Sequence, residues 1–131
     1  MFSHVFIGID DFVRALRFYD ALMQALGIAP LFVDRARPWA GWQVPGVPRP
    51  LFVIGVAHDG CARAAGNGQM VALLAASRRL VGHAQDVALA HGGTCEGAPG
   101  LRPEYHAHYY GAYVRDSEGN DLCVACHAPE G

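Results

Sequence analysis

The chain has 131 residues, 52% of them hydrophobic, and a formal net charge of -2, which gives material for one ordinary core and no basic patch for nucleic acid. No apolar run approaches the ~20 residues that cross a bilayer, and the first residues lack the charged-then-apolar pattern of an export signal, so a cytoplasmic protein is expected. Its four cysteines are then expected as thiols and not as a disulfide framework.

In chain order, Ser3 to Ile9 is a short apolar run rich in β-branched residues and predicts a strand. Asp10 and Asp11 follow where an N-cap and a first-turn carboxylate belong. Phe12, Leu16, Tyr19, Leu22, Met23 and Leu26 then recur at spacings of three and four, the signature of one buried helix face. Gly27 stands where the helix wants a left-handed terminator. Strands are predicted over 29–33, 39–44 and 51–56, separated by Pro/Gly-rich turns. A second series starts with a strand over 69–74. Ser77 can cap a helix whose buried face is Leu80, Ala84, Val87 and Ala88, and His91-Gly92-Gly93 ends it. Thr94 to Glu96 predicts a brief strand, and 97–107 a long loop with two prolines. The chain closes on two strands around the turn Asp116-Ser117-Glu118-Gly119-Asn120.

The second series repeats the first. A shift of 66 positions carries His4 onto Met70 and Gly27 onto Gly93. One domain over 1–131 is therefore expected from two βαβββ modules, about 1–57 and about 69–131, joined by a linker over 58–68. A single module has a bare sheet edge and half a core; two copies can curl their sheets around a shared pocket. The predicted fold is α+β, with a curved eight-stranded mixed sheet.

This order of elements resembles the vicinal oxygen chelate superfamily, which includes glyoxalase I, bleomycin-resistance proteins and extradiol dioxygenases. The resemblance rests on His4-Val5-Phe6-Ile7-Gly8-Ile9-Asp10-Asp11 with the helix Ala15-Leu16-Arg17-Phe18-Tyr19-Asp20, and on the closing Arg115-Asp116-Ser117-Glu118-Gly119-Asn120. The loop Gly97-Ala98-Pro99-Gly100-Leu101-Arg102-Pro103 followed by Tyr105-His106 is similar to one bacterial glyoxalase-like subgroup. The resemblance implies paired βαβββ modules, a homodimer, and frequently a divalent metal held by four side chains. His or Gln is implied on the first strand of each module and Glu on the last.

His4 matches the first of those positions, Met70 takes the second, and Cys123 stands where the closing strand should carry Glu. Residues 50–56 contain no carboxylate for the fourth. Mg²⁺, Mn²⁺ or Fe²⁺ wants oxygen and imidazole, and a thioether suits none of them. No cofactor is therefore expected, and the alternative is a Zn or Ni ion on His4 and Cys123 with help from His106 or His108. Two functions follow. One is a small-molecule-binding protein of the glyoxalase/bleomycin-resistance type with a degenerate metal site. The other is a divergent metal-dependent lyase or isomerase similar to lactoylglutathione lyase, or a dioxygenase-like enzyme.

The pocket is expected to be lined by His4, Trp42, Phe52, Met70, Arg102, Tyr105, His106, His108, Tyr109 and Cys123, with a small molecule as the ligand. Residues 102–109 are read as a rim offering a cation and hydrogen bonds. Only one of His108 and Tyr109 can face the pocket if a strand begins there. Cys123-Val124-Ala125-Cys126-His127 has the form C-x-x-C-H, yet residues three apart on a strand point to opposite faces. One cysteine is expected in the core and one toward the pocket, with no shared metal or disulfide. Asp116, Glu118 and Asp121 are read as solvated turn residues.

Overall fold

The computed structural model describes residues 1–129. Module 1 runs β1 (His4–Gly8), α1 (Phe12–Ala25), β2 (Ala29–Asp34), β3 (Trp39–Gln43) and β4 (Leu51–Gly55). Module 2 runs β5 (Val71–Leu74), α2 (Arg78–Ala90), β6 (Thr94–Leu101), β7 (Tyr110–Arg115) and β8 (Asp121–Cys126). Each module makes its own mixed four-stranded sheet, ordered β1-β4-β3-β2 and β5-β8-β7-β6. The eight strands thus fall into two equivalent sheets that do not close into a barrel. The two copies match to the atom at their strand ends, where Ile9 N donates to Gly55 O and Ala75 N to Ala125 O, each at 2.9 Å. No helix among the described residues is long and apolar enough to cross a membrane.

The helices form where the caps and periodicity place them. Asp11 accepts the amide of Arg14 at 3.1 Å and Ser77 that of Leu80 at 3.1 Å, satisfying N-terminal donors that the helix itself leaves free. Gly27 ends α1 at φ 74. Ala15 and Phe18 join the expected buried face of α1. On α2 the buried face is Val81, Ala84, Gln85 and Ala88, while Leu80 and Val87 are only partly buried. The rotation has a polar cause: the Gln85 amide donates to Gly97 O at 3.0 Å and Tyr113 O at 3.2 Å, so a residue that periodicity assigns to solvent is held inside. The left-handed residue after α2 is Gly92, at φ 100. Gly93 serves packing instead, since a Cβ there would lie 2.8 Å from Ala88 O and 2.9 Å from the Phe18 ring.

Both helices pack on one face of the sheets. The core beneath them takes Val5, Ile7, Trp42, Phe52, Ile54, Val71, Leu73, Ala112, Val114, Leu122, Val124 and Cys126. Strand alternation sends the intervening residues (His4, Phe6, Val53, Ala72, Leu74, Tyr113, Cys123) to the opposite, helix-free face. Trp42 and Phe52 are therefore core residues and not pocket lining. Their rings lie 6.0 and 5.2 Å from that of Tyr19, and the Trp42 indole donates to Asp20 at 3.3 Å. β6 is longer than expected and absorbs residues 97–101 of the predicted 97–107 loop, leaving 102–109 as the connection. It is an edge strand with two register shifts, which is where Pro99 is tolerated.

The closing turn is not solvated as its composition suggested; it joins the modules. Asp116 is 3% exposed and accepts from the Tyr19 hydroxyl, the amides of Glu118 (2.8 Å) and Asn120 (2.9 Å), and the Asn120 side chain (2.9 Å). The Glu118 side chain is 4% exposed. It accepts from the Asp10 and Asp11 amides at the start of α1 and from Arg14 at 2.6 Å, an anion against the positive end of a helix. Asn120 donates to Gly8 O at 3.2 Å and accepts from Arg63 at 3.0 Å. Asp121 stays at the rim, 3.4 Å from Arg115.

Candidate functional site

The helix-free faces hold the candidate site. Where the strand edges of β1 and β5 approach, a groove of about 250 Å³ is lined by Val5, Phe6, Met70, Val71, Asn120 and Asp121, among others. An adjoining groove of about 470 Å³ runs over Met70, Glu96, Tyr113, Arg115 and Asp121. Gln69, Met70 and Asp121 line both. Met70 is 49% exposed, so it lies at the entrance to these grooves. A roomier depression of about 520 Å³ at Asp20, Gln24 and Ala29 sits at the far end of α1 and brings no reactive groups together.

Strand register identifies the four positions at which the resemblance implies metal ligands. β1 pairs in parallel with β4, Phe6 opposite Val53; β5 pairs in parallel with β8, Ala72 opposite Cys123. The equivalent of Cys123 in module 1 is thus Val53. The set is His4, Val53, Met70 and Cys123: one imidazole, one thiol, one thioether and one hydrocarbon. This set does not fit the metal. His4 is exposed and its Nδ1 bonds the Ser3 hydroxyl at 3.0 Å. Among the described residues no three His, Cys, Asp or Glu side chains converge on one point.

Cys123 is 0% exposed and its Sγ lies 3.4 Å from the Tyr109 hydroxyl, which lies 3.2 Å from that of Tyr113. Burial raises the Cys123 thiol above its usual range, although its tyrosine hydrogen bonds act the other way. Burial likewise raises Tyr109 and Tyr113. All three groups are therefore protonated near neutral pH, and Cys123 lacks the imidazole partner that would make it a nucleophile. Cys126 lies in the core. The two cysteines of the C-x-x-C-H run do face opposite sides.

Residues 102–109 gather around this thiol. The Arg102 guanidinium lies 5.4 Å above the Tyr113 ring and donates to Ala98 O at 2.8 Å. Tyr105 and Tyr109 pack with ring centres 4.9 Å apart, and His106 meets His127 with Nε2 and Nδ1 2.8 Å apart. His108 points to solvent, while Tyr109 faces Cys123. Arg102, Tyr105, His106, Tyr109 and Cys123 thus form one cluster; His4 and Met70 stand apart on β1 and before β5. Sequence reasoning missed Phe6, Tyr113 and His127. Period-2 alternation from His4 could have given Phe6, and from Tyr109 could have given Tyr113; nothing local pairs His127 with His106.

A structure of a glyoxalase/bleomycin resistance protein from Albidiferax ferrireducens T118 is 32% identical, with 98% of this chain and 99% of that chain covered and a TM-score of 0.84. This chain belongs to the glyoxalase/bleomycin resistance protein/dioxygenase superfamily. A glyoxalase-related enzyme from Fulvimarina pelagi shares the fold at 20% identity, covering 96% of this chain and 87% of that chain, with a TM-score of 0.71. So does a glyoxalase/bleomycin resistance protein/dioxygenase family enzyme from Burkholderia phytofirmans PsJN at 20% identity, covering 96% and 98%, with a TM-score of 0.70. No protein-family model and no curated protein matches the sequence.

Proposed function

We propose that this superfamily member binds a small organic molecule on the helix-free faces of its sheets, without the four-ligand metal of metal-binding relatives. One observation carries the reading: valine and a buried, tyrosine-bonded cysteine occupy the two closing-strand positions, so a divalent ion would find no carboxylate there. The ligand's apolar body lies along Phe6, Met70 and Leu74, all more than two-fifths exposed, and its polar atoms meet Gln69, Tyr113, Arg115 and Asp121 at the rim. Those exposed apolar side chains also support a homodimer whose second copy covers the open faces.

The test pairs metal analysis of untagged protein with thermal-shift titrations. Zn²⁺, Ni²⁺, Mg²⁺ and Mn²⁺ are expected to leave the melting temperature unchanged. A screened small molecule at 100 times its Kd stabilises by about 2.7 kcal/mol. Leu74→Asp, on the apolar face, removes that gain and lowers the dimer fraction in light scattering. Stoichiometric metal that disappears in His4→Ala would overturn the metal-free reading and favour a metal-dependent lyase.

A further inference from the structure

The connection between the modules is held down at one point. From His58 to Met70 every residue but Arg63 is exposed. The backbone amide of Arg63 donates to Asp10 Oδ1 at 3.0 Å, and its Nη2 donates to Asn120 Oδ1 at 3.0 Å. Asp10 follows β1 in module 1 and Asn120 belongs to the closing turn of module 2, so one residue is tied to both. The crossing is close. A Cβ on Gly8 would lie 3.2 Å from that of Arg63, so a larger residue at the end of β1 would push the connection outward.

Beyond Arg63 the chain becomes a wall. Ala65, Gly66, Gln69 and Met70 line the groove of about 250 Å³ together with Val5, Phe6 and Asn120. Among the described residues no hydrogen bond holds 64–69. The Gln69 side chain lies across Gly66, where a Cβ would overlap its amide. Gly68 takes φ 86, a second point at which the backbone turns free of a side chain's limits. The wall is therefore fixed at its ends, by Arg63 and by the pairing of Val71 with Leu122. The Arg63 anchor is shallow. Its Nε is buried and has no acceptor among the described residues, and a buried N–H left unpaired offsets much of what the Asn120 bond contributes. Exposed side chains, no backbone bonds and a half-satisfied anchor are the features of a segment that opens locally.

We propose that 64–70 is a strap that gates this groove and that Arg63 is its latch. With the guanidinium on Asn120 and the amide on Asp10, the strap stands as the groove's wall. When both bonds break, 64–70 swings about Val71 and the groove opens along that side to admit or release a molecule. Asn120 also donates to Gly8 O and to Asp116, so it stays in place when Arg63 leaves and the latch can close again. The latch stands on contacts within the chain; that the groove it guards takes a ligand rests on the function proposed above.

The test needs no ligand. Untagged protein is treated with limiting elastase, which cuts after small residues. Mass spectrometry compares cuts after Ala64 and Ala65 with those after Ala36, in the exposed β2–β3 turn. Arg63→Gln removes the guanidinium, and Asp10→Ala removes the acceptor of the Arg63 amide. Each should raise the strap-to-turn ratio about fivefold, as the loss of one ordinary net hydrogen bond does to the open population. A second readout follows the groove itself. Val5 is half-buried and lines it. Labelling of the Val5→Cys thiol, relative to exposed Cys95, should rise by a similar factor when Arg63→Gln is added. An unchanged strap ratio in both variants would refute the latch. A raised ratio with flat labelling of the Val5→Cys thiol would refute the wall. Labelling of Cys126, buried in the core, that rises in step would signal global unfolding and overturn both. These readings hold whether or not a ligand screen finds a binder, so failure of the strap and failure of the proposed function are told apart.

Discussion

Replacing Asp116 by alanine tests whether the closing turn ties the two modules together. Its carboxylate accepts four hydrogen bonds, from the Tyr19 hydroxyl, the amides of Glu118 and Asn120, and the Asn120 side chain. Tyr19 is fully buried, and burial together with the Asp116 charge holds its phenol far above the usual range, so it remains a donor at any working pH. Removing Asp116 orphans that hydroxyl, at about 1–3 kcal/mol, and strips a charged acceptor from three partly buried donors that recover only some hydration. The sum is about 3–5 kcal/mol, a large share of the 5–15 kcal/mol typical of a domain, and corresponds to a fall in Tm of about 12–20 °C. Urea and thermal unfolding measure it. Tyr19→Phe alone should cost only ~1 kcal/mol, because the carboxylate keeps its other donors. The double variant should be less destabilised than the sum of the singles by about 1–2 kcal/mol, since no orphaned hydroxyl remains. A loss below ~1 kcal/mol for Asp116→Ala, or additivity in the double variant, would refute the reasoning.

Two further predictions concern neighbouring groups. Burial alone would raise the Glu118 carboxyl, but hydrogen bonds from the Asp10 amide, Arg14 and the Asp11 amide outweigh it and lower the group overall. A lowered folded value means the contribution is present above the unfolded carboxyl range, ~4.3, and is lost as pH falls through the folded value. Stability measured from pH 6 to pH 3 should therefore fall more steeply in wild type than in Glu118→Gln; parallel curves would contradict the assignment. At neutral pH, Cys61 and Cys95 should react promptly with a disulfide reagent, while Cys123 and Cys126 lag by about 100-fold if local opening costs about 3 kcal/mol. Tyr109→Ala should release Cys123 alone, and an unchanged Cys123 rate in that variant would show that the tyrosine does not shield it.

Much of the architecture was legible in the chain itself. Asp11 and Ser77 as caps, the helical spacing from Phe12 to Leu26, the offset of 66 and the Asp116–Asn120 turn are local or periodic signals, and each fixes an element without reference to distant residues. Alternation around Cys123 and Cys126 also predicted correctly that they face opposite sides. Alternation divides a strand into two faces, however, and says nothing about which face a helix will cover. That choice belongs to packing. It put Trp42 and Phe52 under α1 and left Phe6 and Met70 open. The burial of Gln85, Asp116 and Glu118 likewise required partners far away in sequence, because a polar side chain is buried only where a complementary group meets it. The chain alone determined two βαβββ modules and put His4, Met70 and Cys123 at positions where the resemblance implies metal ligands. Only the folded arrangement decided that Val53 is the counterpart of Cys123, that Tyr109 covers that thiol, and that His106 meets His127, because register and contact across the sheets arise from long-range packing that no local pattern encodes.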